Sequence, residues 1–320
     1  MNKKAVVSQL RPHEKYERLV AATKGLQALR TAVAHPCDET SLRGALDANA
    51  AGMITPILVG PRDRILSVAR SHDLKLQDIE IVDVPHSQAA ADKAVEIVRT
   101  GAANLLMKGS LHSDELLGAV AKRDTGLRTG RRISHVFVMD VPTHPQTLFI
   151  TDAAVNIAPD LNAKRDIIQN AIDLYAGLGL GTPKVAILSA VETVNPNIPS
   201  TIEAAALCKM ADRGQITGGE LDGPLAFDNA ISPEAAQIKG IKSAVAGWAQ
   251  ILVVPDLEAG NMLAKNLTFL SRADAAGIVL GARVPVILTS RADNVRTRLA
   301  SCAVAMLLAH SQRAKQPIRA

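Results

Sequence analysis

Short β-branched runs separated by helical stretches recur through the first third of the chain, and this alternation limits the fold more than any motif does. Apolar runs at residues 31–34, 54–59, 79–84 and 103–107 are divided by helix-like segments at 40–51, 62–71 and after Ser87, with another helix expected over 15–30. Strands that return through a helix of about 10–15 residues imply βαβ units and parallel neighbours, since antiparallel neighbours need only a tight turn. The expected fold class is therefore α/β, with helices flanking the sheet. Such sheets are buried on both faces. A hydrophobic content of 48% supports this, and with two Tyr, four Phe and one Trp the packing rests on Ala, Val, Leu and Ile.

One connection breaks the parallel rule. Runs 134–141 and 147–151 are joined only by Pro142-Thr143-His144-Pro145, a link suited to antiparallel neighbours, so the sheet is expected to be mixed. Periodicity lapses over 151–160, and at 320 residues a second lobe is expected, with the hinge placed there. Alternation then resumes with a helix over 161–178, a strand at 185–188, a helix to Arg213 opened by a Ser200/Glu203 capping box, and a strand at 251–254. Residues 218–230, glycine-rich with three carboxylates, read as a loop that is either functional or a plain turn. Gly177-Leu178-Gly179-Leu180-Gly181 follows a helix and precedes a strand, the reverse of a dinucleotide fingerprint.

Composition removes several function classes. The formal charge is +5, but Lys and Arg are dispersed and aromatics are few, which argues against nucleic acid. Three widely spaced cysteines suggest neither a disulfide framework nor a zinc site and fit a reducing cytoplasm. The start of the chain lacks a signal-peptide h-region, and residues 299–309 are too short to span a bilayer.

Two turns carry candidate chemistry. Ligands of parallel sheets bind at the carboxyl ends of strands, which is where Lys108-Gly109-Ser110-Leu111-His112 falls. It offers a cation, a hydroxyl and an imidazole; alternatively Lys108 snorkels and Ser113 caps a helix. The second turn follows the strand at 284–289, where Ser290 and Arg291 lead into a helix marked by Val295, Leu299 and Leu308. Unpaired N–H groups at a helix start attract anions, and Arg291 adds a planar fork suited to phosphate. The alternative is that Asp293 is an N-cap and Arg291 a solvated charge. Lys122, Arg123, Arg128, Arg131 and Arg132 form the densest basic patch, readable as solvated surface or as a grip on a nucleotide-like substrate's diphosphate or 3′-phosphate.

Four blocks resemble the phosphate acetyltransferase and phosphate butyryltransferase family: TDAAVNIAPD at 151–160, GELDGPLAFDNA at 219–230, PDLEAGNMLAKNL at 255–267 and VPVILTSRAD at 284–293. The ILVG at 57–60 and the segment from Lys15 also look like that family, so the resemblance covers nearly the whole chain. It implies a two-lobed subunit, similar in fold to isocitrate and isopropylmalate dehydrogenases. Residues 1–150 with 291–320 would form one lobe and 151–290 the other, with the active-site cleft between them. It also implies a homodimer. The family's Ser-Arg pair maps to Ser290 and Arg291, which would bind phosphate and stabilise charge at the reacting carbonyl. The family's catalytic Asp lies seven residues beyond that Ser, and Thr297 stands there; the nearest carboxylate is Asp293, as in butyryltransferase-like members. Lys108, Ser110, His112, Arg128, Asp152 and Asn156 are expected to contact substrate.

The reaction so implied joins acetyl-CoA and phosphate to give acetyl phosphate and CoA by direct attack in a ternary complex, or uses longer acyl-CoA in a butyryltransferase. Coenzyme A is then a substrate, with no permanently bound cofactor, metal or membrane partner expected. Two rivals remain open. One is a metal-dependent NAD-linked dehydrogenase using Asp222, Asp228 and Asp256 around Mg²⁺; the other is a non-catalytic CoA-binding module.

Overall fold

The protein is described here from a computed structural model of residues 13–289 and 293–315. In chain order the elements are α1 (Glu14–Ala21), β1 (Leu29–Ala34), α2 (Glu39–Ala50), β2 (Ile54–Gly60), α3 (Arg62–Ser71), β3 (Glu80–Asp83), α4 (Ser87–Arg99), β4 (Leu105–Lys108), α5 (Ser113–Ala121), β5 (Ser134–Asp140) and β6 (Leu148–Thr151). They continue with α6 (Leu161–Gly177), β7 (Lys184–Leu188), α7 (Pro199–Asp212), β8 (Glu220–Leu225), α8 (Phe227–Ile231), α9 (Pro233–Ile238), β9 (Ile251–Val253), α10 (Leu257–Phe269), β10 (Asp274–Leu280), β11 (Val286–Ile287) and α11 (Val295–Lys315).

All strands join one sheet in the order β3-β2-β1-β4-β11-β10-β5-β6-β9-β7-β8. Parallel ladders link β3 through β11 on one side and β6 through β8 on the other. Between the two blocks, β10 is antiparallel to both β11 and β5, and β5 is antiparallel to β6. Three reversals in succession leave the two parallel blocks pointing in opposite directions. The hairpin of β5 and β6 is the one that the proline-rich link predicts.

Three local expectations are corrected. The first helix stops at Ala21 rather than near residue 30, because the chain turns through Gly25 at φ 83°, a conformation that favours glycine. Residues 220–225 are not loop but an edge strand, where Gly223 and Pro224 are tolerated because one side has no ladder to complete. The capping box of Ser200 and Glu203 does not form: α7 opens on Pro199, Ser200 Oγ meets Ser189 Oγ at 2.8 Å, and Glu203 pairs with Lys164.

Alternation along the central strands divides the core. Val136, Val138, Ile278 and Ile287 belong to one continuous cluster covered by α2, α6, α7 and α11. Their neighbours face the other way and separate into two clusters. Val279 and Val286 pack with α4 and α5, whereas Met139 and Ala275 pack with residues of α8, α9 and α10. One face of the sheet is thus covered by a single core, and the other carries two separate cores. Among the described residues no helix is long and apolar enough to cross a membrane.

Candidate active site

The gap between the two cores lies over β11, β10 and β5. Register places Gly277 of β10 opposite Phe137 of β5, while the Leu288 N–H approaches the Gly277 carbonyl at 3.4 Å from the other side. Phe137 and Leu288 are both half-buried, one at the edge of each core, so an apolar row crosses the gap with a glycine at its centre. A Cβ on Gly277 would lie 2.6 Å from the Leu288 carbonyl oxygen and 3.1 Å from His135 Nε2. Only glycine fits there without displacing backbone.

The chain leaves this row toward Ser290 and Arg291, which lie outside the described residues. Met107 pairs with Ile287, so Lys108 follows in register beside Leu288, and the turn at 108–112 flanks the exit. Lys108 is buried, and its Nζ is 3.4 Å from the Gly109 carbonyl. Gly109 crosses so near β1 that a Cβ would lie 2.3 Å from the Ala34 carbonyl. The Ser110 hydroxyl donates to the His35 carbonyl at 2.8 Å and accepts from Cys37 N–H at 3.3 Å, which knits the ends of β4 and β1 together. His112, which is exposed, precedes α5, and its backbone N–H donates to Glu115 Oε2 at 3.1 Å. The capping role considered for Ser113 therefore falls to its neighbour, with α5 beginning at Ser113.

The loop after β6 spans the gap. Asp152 is buried and accepts from the backbone N–H groups of Ala154 and Val155 at 3.0 Å and of Asn156 at 3.3 Å, and from Asn156 Nδ2 at 2.6 Å. A carboxylate so supplied with donors is satisfied without water. Ala153 belongs to one core and Val155 packs against the other. Helix α10 braces this loop: Asn261 Nδ2 donates to the Ala153 carbonyl at 3.2 Å, Leu257 N–H to that of Ile157 at 3.0 Å, and a Cβ on Gly260 would lie 3.0 Å from the Asp152 carbonyl.

Asn156 in turn accepts from Arg132 Nε at 2.7 Å. This fixes an exposed guanidinium at the border of the gap, a residue that the sequence offers only as one member of a basic patch. The patch itself dissolves. Lys122 pairs with Asp92 at 2.6 Å, Arg131 pairs with Asp173, and Arg128 is exposed with its backbone bridging Ala282. At the start of α11, Asn294 rather than Asp293 is the cap, because Asn294 Oδ1 accepts from Thr297 N–H at 2.9 Å; the Asp293 carbonyl accepts from Arg298. Asp222, Asp228 and Asp256 do not gather: among the described residues no three such side chains form a metal-binding group, and Asp256 caps α10 through Ala259 N–H at 2.8 Å.

An apolar cavity of about 240 Å³ lies behind β5 and β10, under α1, between Val138, Phe149, Leu178 and Leu307. Its charged lining is balanced, Lys15 and Arg18 against Asp140 and Asp274, and Lys15 pairs with Asp140 at 2.8 Å, so it is poorly suited to holding two anions.

Comparison with known proteins agrees with these blocks. The sequence profile of the phosphate acetyl/butaryl transferase family matches residues 87–306. The chain is 72% identical over 302 residues to a phosphate acetyltransferase of Rhizobium meliloti, covering 94% of this chain and 96% of that protein. It is 42% identical over 294 residues to a phosphate butyryltransferase of Clostridium acetobutylicum, covering 92% and 98%. Among solved structures, a branched-chain phosphotransacylase from Enterococcus faecalis superposes with TM-score 0.77 at 31% identity, covering 88% of this chain and 99% of that one.

His135 is the residue of the gap that the sequence gives no reason to select, since a lone histidine in an apolar run resembles ordinary core. It is buried, its Nδ1 has no hydrogen-bond partner, and its ring meets Phe137 edge-on at 4.4 Å. Burial pushes its pKa from 6.5 down to about 4, against the opposing pull of the Asp152 carboxylate. The imidazole is therefore neutral in the folded protein near neutrality. Because the folded value is depressed, the unfolded chain binds the extra proton first, and stability falls as pH drops through 6.5 toward about 4. Between about pH 7 and about pH 5 the expected loss from this group is on the order of 2 kcal/mol. Urea denaturation of His135→Gln should show a correspondingly flatter pH dependence over that window; a slope equal to wild type would mean that His135 is not buried neutral.

Proposed function

Because the chain belongs to the phosphate acetyl/butyryl transferase family, we propose that it converts acetyl-CoA and phosphate to acetyl phosphate and CoA, reversibly. The observation that carries this reading is the convergence of family blocks on one gap: the loop at 151–156, the α10 residues that brace it, and the exit of β11 beside Lys108. In this reading an oxygen of hydrogen phosphate attacks the thioester carbonyl carbon, the C–S bond breaks, and the proton that phosphate gives up passes to the sulfur as CoA leaves as its thiol. Ser290 and Arg291, assigned by the family resemblance, hold phosphate and stabilise the carbonyl oxygen as it gains charge. Lys108, His112 and Arg128 contribute positive charge or donors, Asp152 and Asn156 fix the loop and Arg132, and Ser110 holds the turn at 108–112. Aligned donors of this kind need little reorganisation as charge develops.

Direct transfer is further supported by the thiols. Burial pushes Cys37 up to about 11 and Cys208 and Cys302 up to about 12, which keeps all three protonated and poor as acyl acceptors. Coenzyme A enters only as substrate, without a permanently bound cofactor. We further propose a two-lobed body, residues 1–150 with 291–320 and residues 151–290, kin in fold to isocitrate and isopropylmalate dehydrogenases. Two separate cores on one sheet face accord with two lobes, although Met139, Leu148 and Ile150 pack in the core of the second and Val279 and Val286 in that of the first. A cytoplasmic location accords with three free cysteines, and recovery of the enzyme in the membrane or exported fraction would contradict it.

A homodimer fits the exposed apolar side of α10. Met262, Phe269 and Leu270 are 65%, 72% and 77% exposed, and Ile157, whose carbonyl accepts from Leu257 N–H at the start of the helix, is 75% exposed. Surfaces of that kind mark contact sites. Light scattering should give a dimer for the wild type and a shift toward monomer for Phe269→Glu; a monomeric wild type would dispose of the idea.

The reading predicts thiol release from acetyl-CoA that requires phosphate. Release that continues unchanged when phosphate is omitted would indicate a thioesterase instead.

Asp293 is proposed as the base that takes the CoA proton in acetyl-CoA synthesis. The test is Asp293→Asn, which keeps the size of the side chain and removes its charge, while Asn294 caps α11. The variant should slow acetyl-CoA synthesis by about tenfold or more near neutrality, with the deficit shrinking as pH nears the thiol's own pKa of ~8.5. A near-wild-type rate at every pH would remove the assignment.

A further inference from the structure

The apolar cavity of about 240 Å³ behind β5 and β10 is a space that the acyltransferase reading does not use. Its origin is local. The end of α1, strand β10 and helix α11 each contribute an alanine to its walls, Ala22, Ala276 and Ala300, and side chains so short leave unfilled the space that larger neighbours hold open. Val138, Phe149 and Leu307 are among those larger neighbours. The mouth lies beside Arg18, Ala22 and Leu180, the lining residues that are exposed at the surface. Apolar walls hold water poorly, so a hydrocarbon group gains free energy by entering such a space.

The charges around the cavity decide what kind of molecule that group belongs to. Lys15 is fully engaged, since its Nζ meets Asp140 at 2.8 Å and donates to the Val141 and His144 carbonyls at 3.0 and 2.9 Å. Asp274 is held by His13 and approached by Arg296 at 3.5 Å. A charged group carried to the inner wall would have to displace one of these partners, at the cost of burying another charge alone. Arg18 differs: among the described residues its guanidinium forms no ion pair or hydrogen bond, and it stands at the mouth. A planar fork in that position suits a carboxylate, which it can grip through two parallel hydrogen bonds. Size sets the chain length. An apolar cavity of about 150 Å³ takes up benzene, with its six carbons, so one of about 240 Å³ suits a chain of about eight to ten. We propose that this cavity is a binding site for a medium-chain monocarboxylate, with the hydrocarbon chain between β5, β10 and α11 and the carboxylate on Arg18.

The test is calorimetric titration of the full chain with octanoate, butyrate and octanol, using wild type, Arg18→Gln, Ala300→Leu and Ala22→Trp. Wild type should bind one octanoate, and butyrate at least about tenfold more weakly, because four methylenes are lost from the apolar contact. Arg18→Gln should weaken octanoate by about tenfold while changing octanol by less than about twofold, since only the carboxylate loses a charged partner. Ala300→Leu, which fills the cavity from within, should weaken octanoate and octanol alike. Ala22→Trp obstructs the exposed mouth and decides the matter if the buried substitution fails to fold. A wild type that binds no octanoate at millimolar concentration would overturn the proposal, as would equal affinity for butyrate and octanoate. Octanoate binding that is unchanged in folded Ala300→Leu or Ala22→Trp would overturn it by placing the ligand elsewhere, and an Arg18→Gln variant with wild-type affinity would overturn the carboxylate assignment. No turnover is measured, so these outcomes are independent of the acyltransferase reading.

Discussion

The structure depends first on the two antiparallel ladders of β10. Every residue of that strand is buried, and it bonds to both β11 and β5. Through it the two oppositely directed parallel blocks become one sheet, with two separate cores on one of its faces. The join has an electrostatic cost, because Asp274 stands directly opposite Asp140, both buried on the same face. Like charges at that spacing repel strongly in a poorly solvated site. The chain offsets this from distant elements. Lys15 of α1 meets Asp140 at 2.8 Å, His13 pairs with Asp274, and Arg296 of α11 approaches Asp274 at 3.5 Å. Residues far apart in sequence are thereby held at the centre of the sheet, and α11 is anchored one turn after the segment that carries Ser290 and Arg291.

Much of the framework was legible from residue patterns. The runs at 31–34, 54–59 and 103–107 fall within or across β1, β2 and β4, and the crossover helices follow from their spacing. The hairpin of β5 and β6 follows from its short link. The place of β10 did not follow, because pairing between β10 and β5 is set by contacts across more than a hundred residues and local periodicity carries no record of them. Strand β8 was hidden for a different reason. Gly223 and Pro224 argue against an interior strand, and only its position at the sheet edge removes the objection.

The candidate site was legible in part for reasons of the same kind. Lys108, Ser110 and His112 were placed by the rule that strand ends face the ligand. Asp152 and Asn156 came with a family block, but their work as a relay to Arg132 depends on side-chain geometry. His135 and Gly277 gave no signal. A histidine among valines and a glycine among alanines are both common in buried strands, and what distinguishes these two is that they lie where two cores fail to meet.

The fate of the basic patch shows why net charge was a poor guide to where anions bind. Of its members, Lys122 and Arg131 are occupied by Asp92 and Asp173 at the surface, pairs that salt screens and that contribute little. Arg132 differs because its partner is neutral. An amide oxygen orients the guanidinium without cancelling its charge, and the amide is itself fixed by a buried carboxylate and by the Ile133 carbonyl at 2.9 Å. A cation held by a neutral acceptor keeps its full field for an incoming anion, and it loses little side-chain entropy when the anion arrives. Within the patch, Arg132 is positioned by a neutral amide, whereas Lys122 and Arg131 are paired with acids.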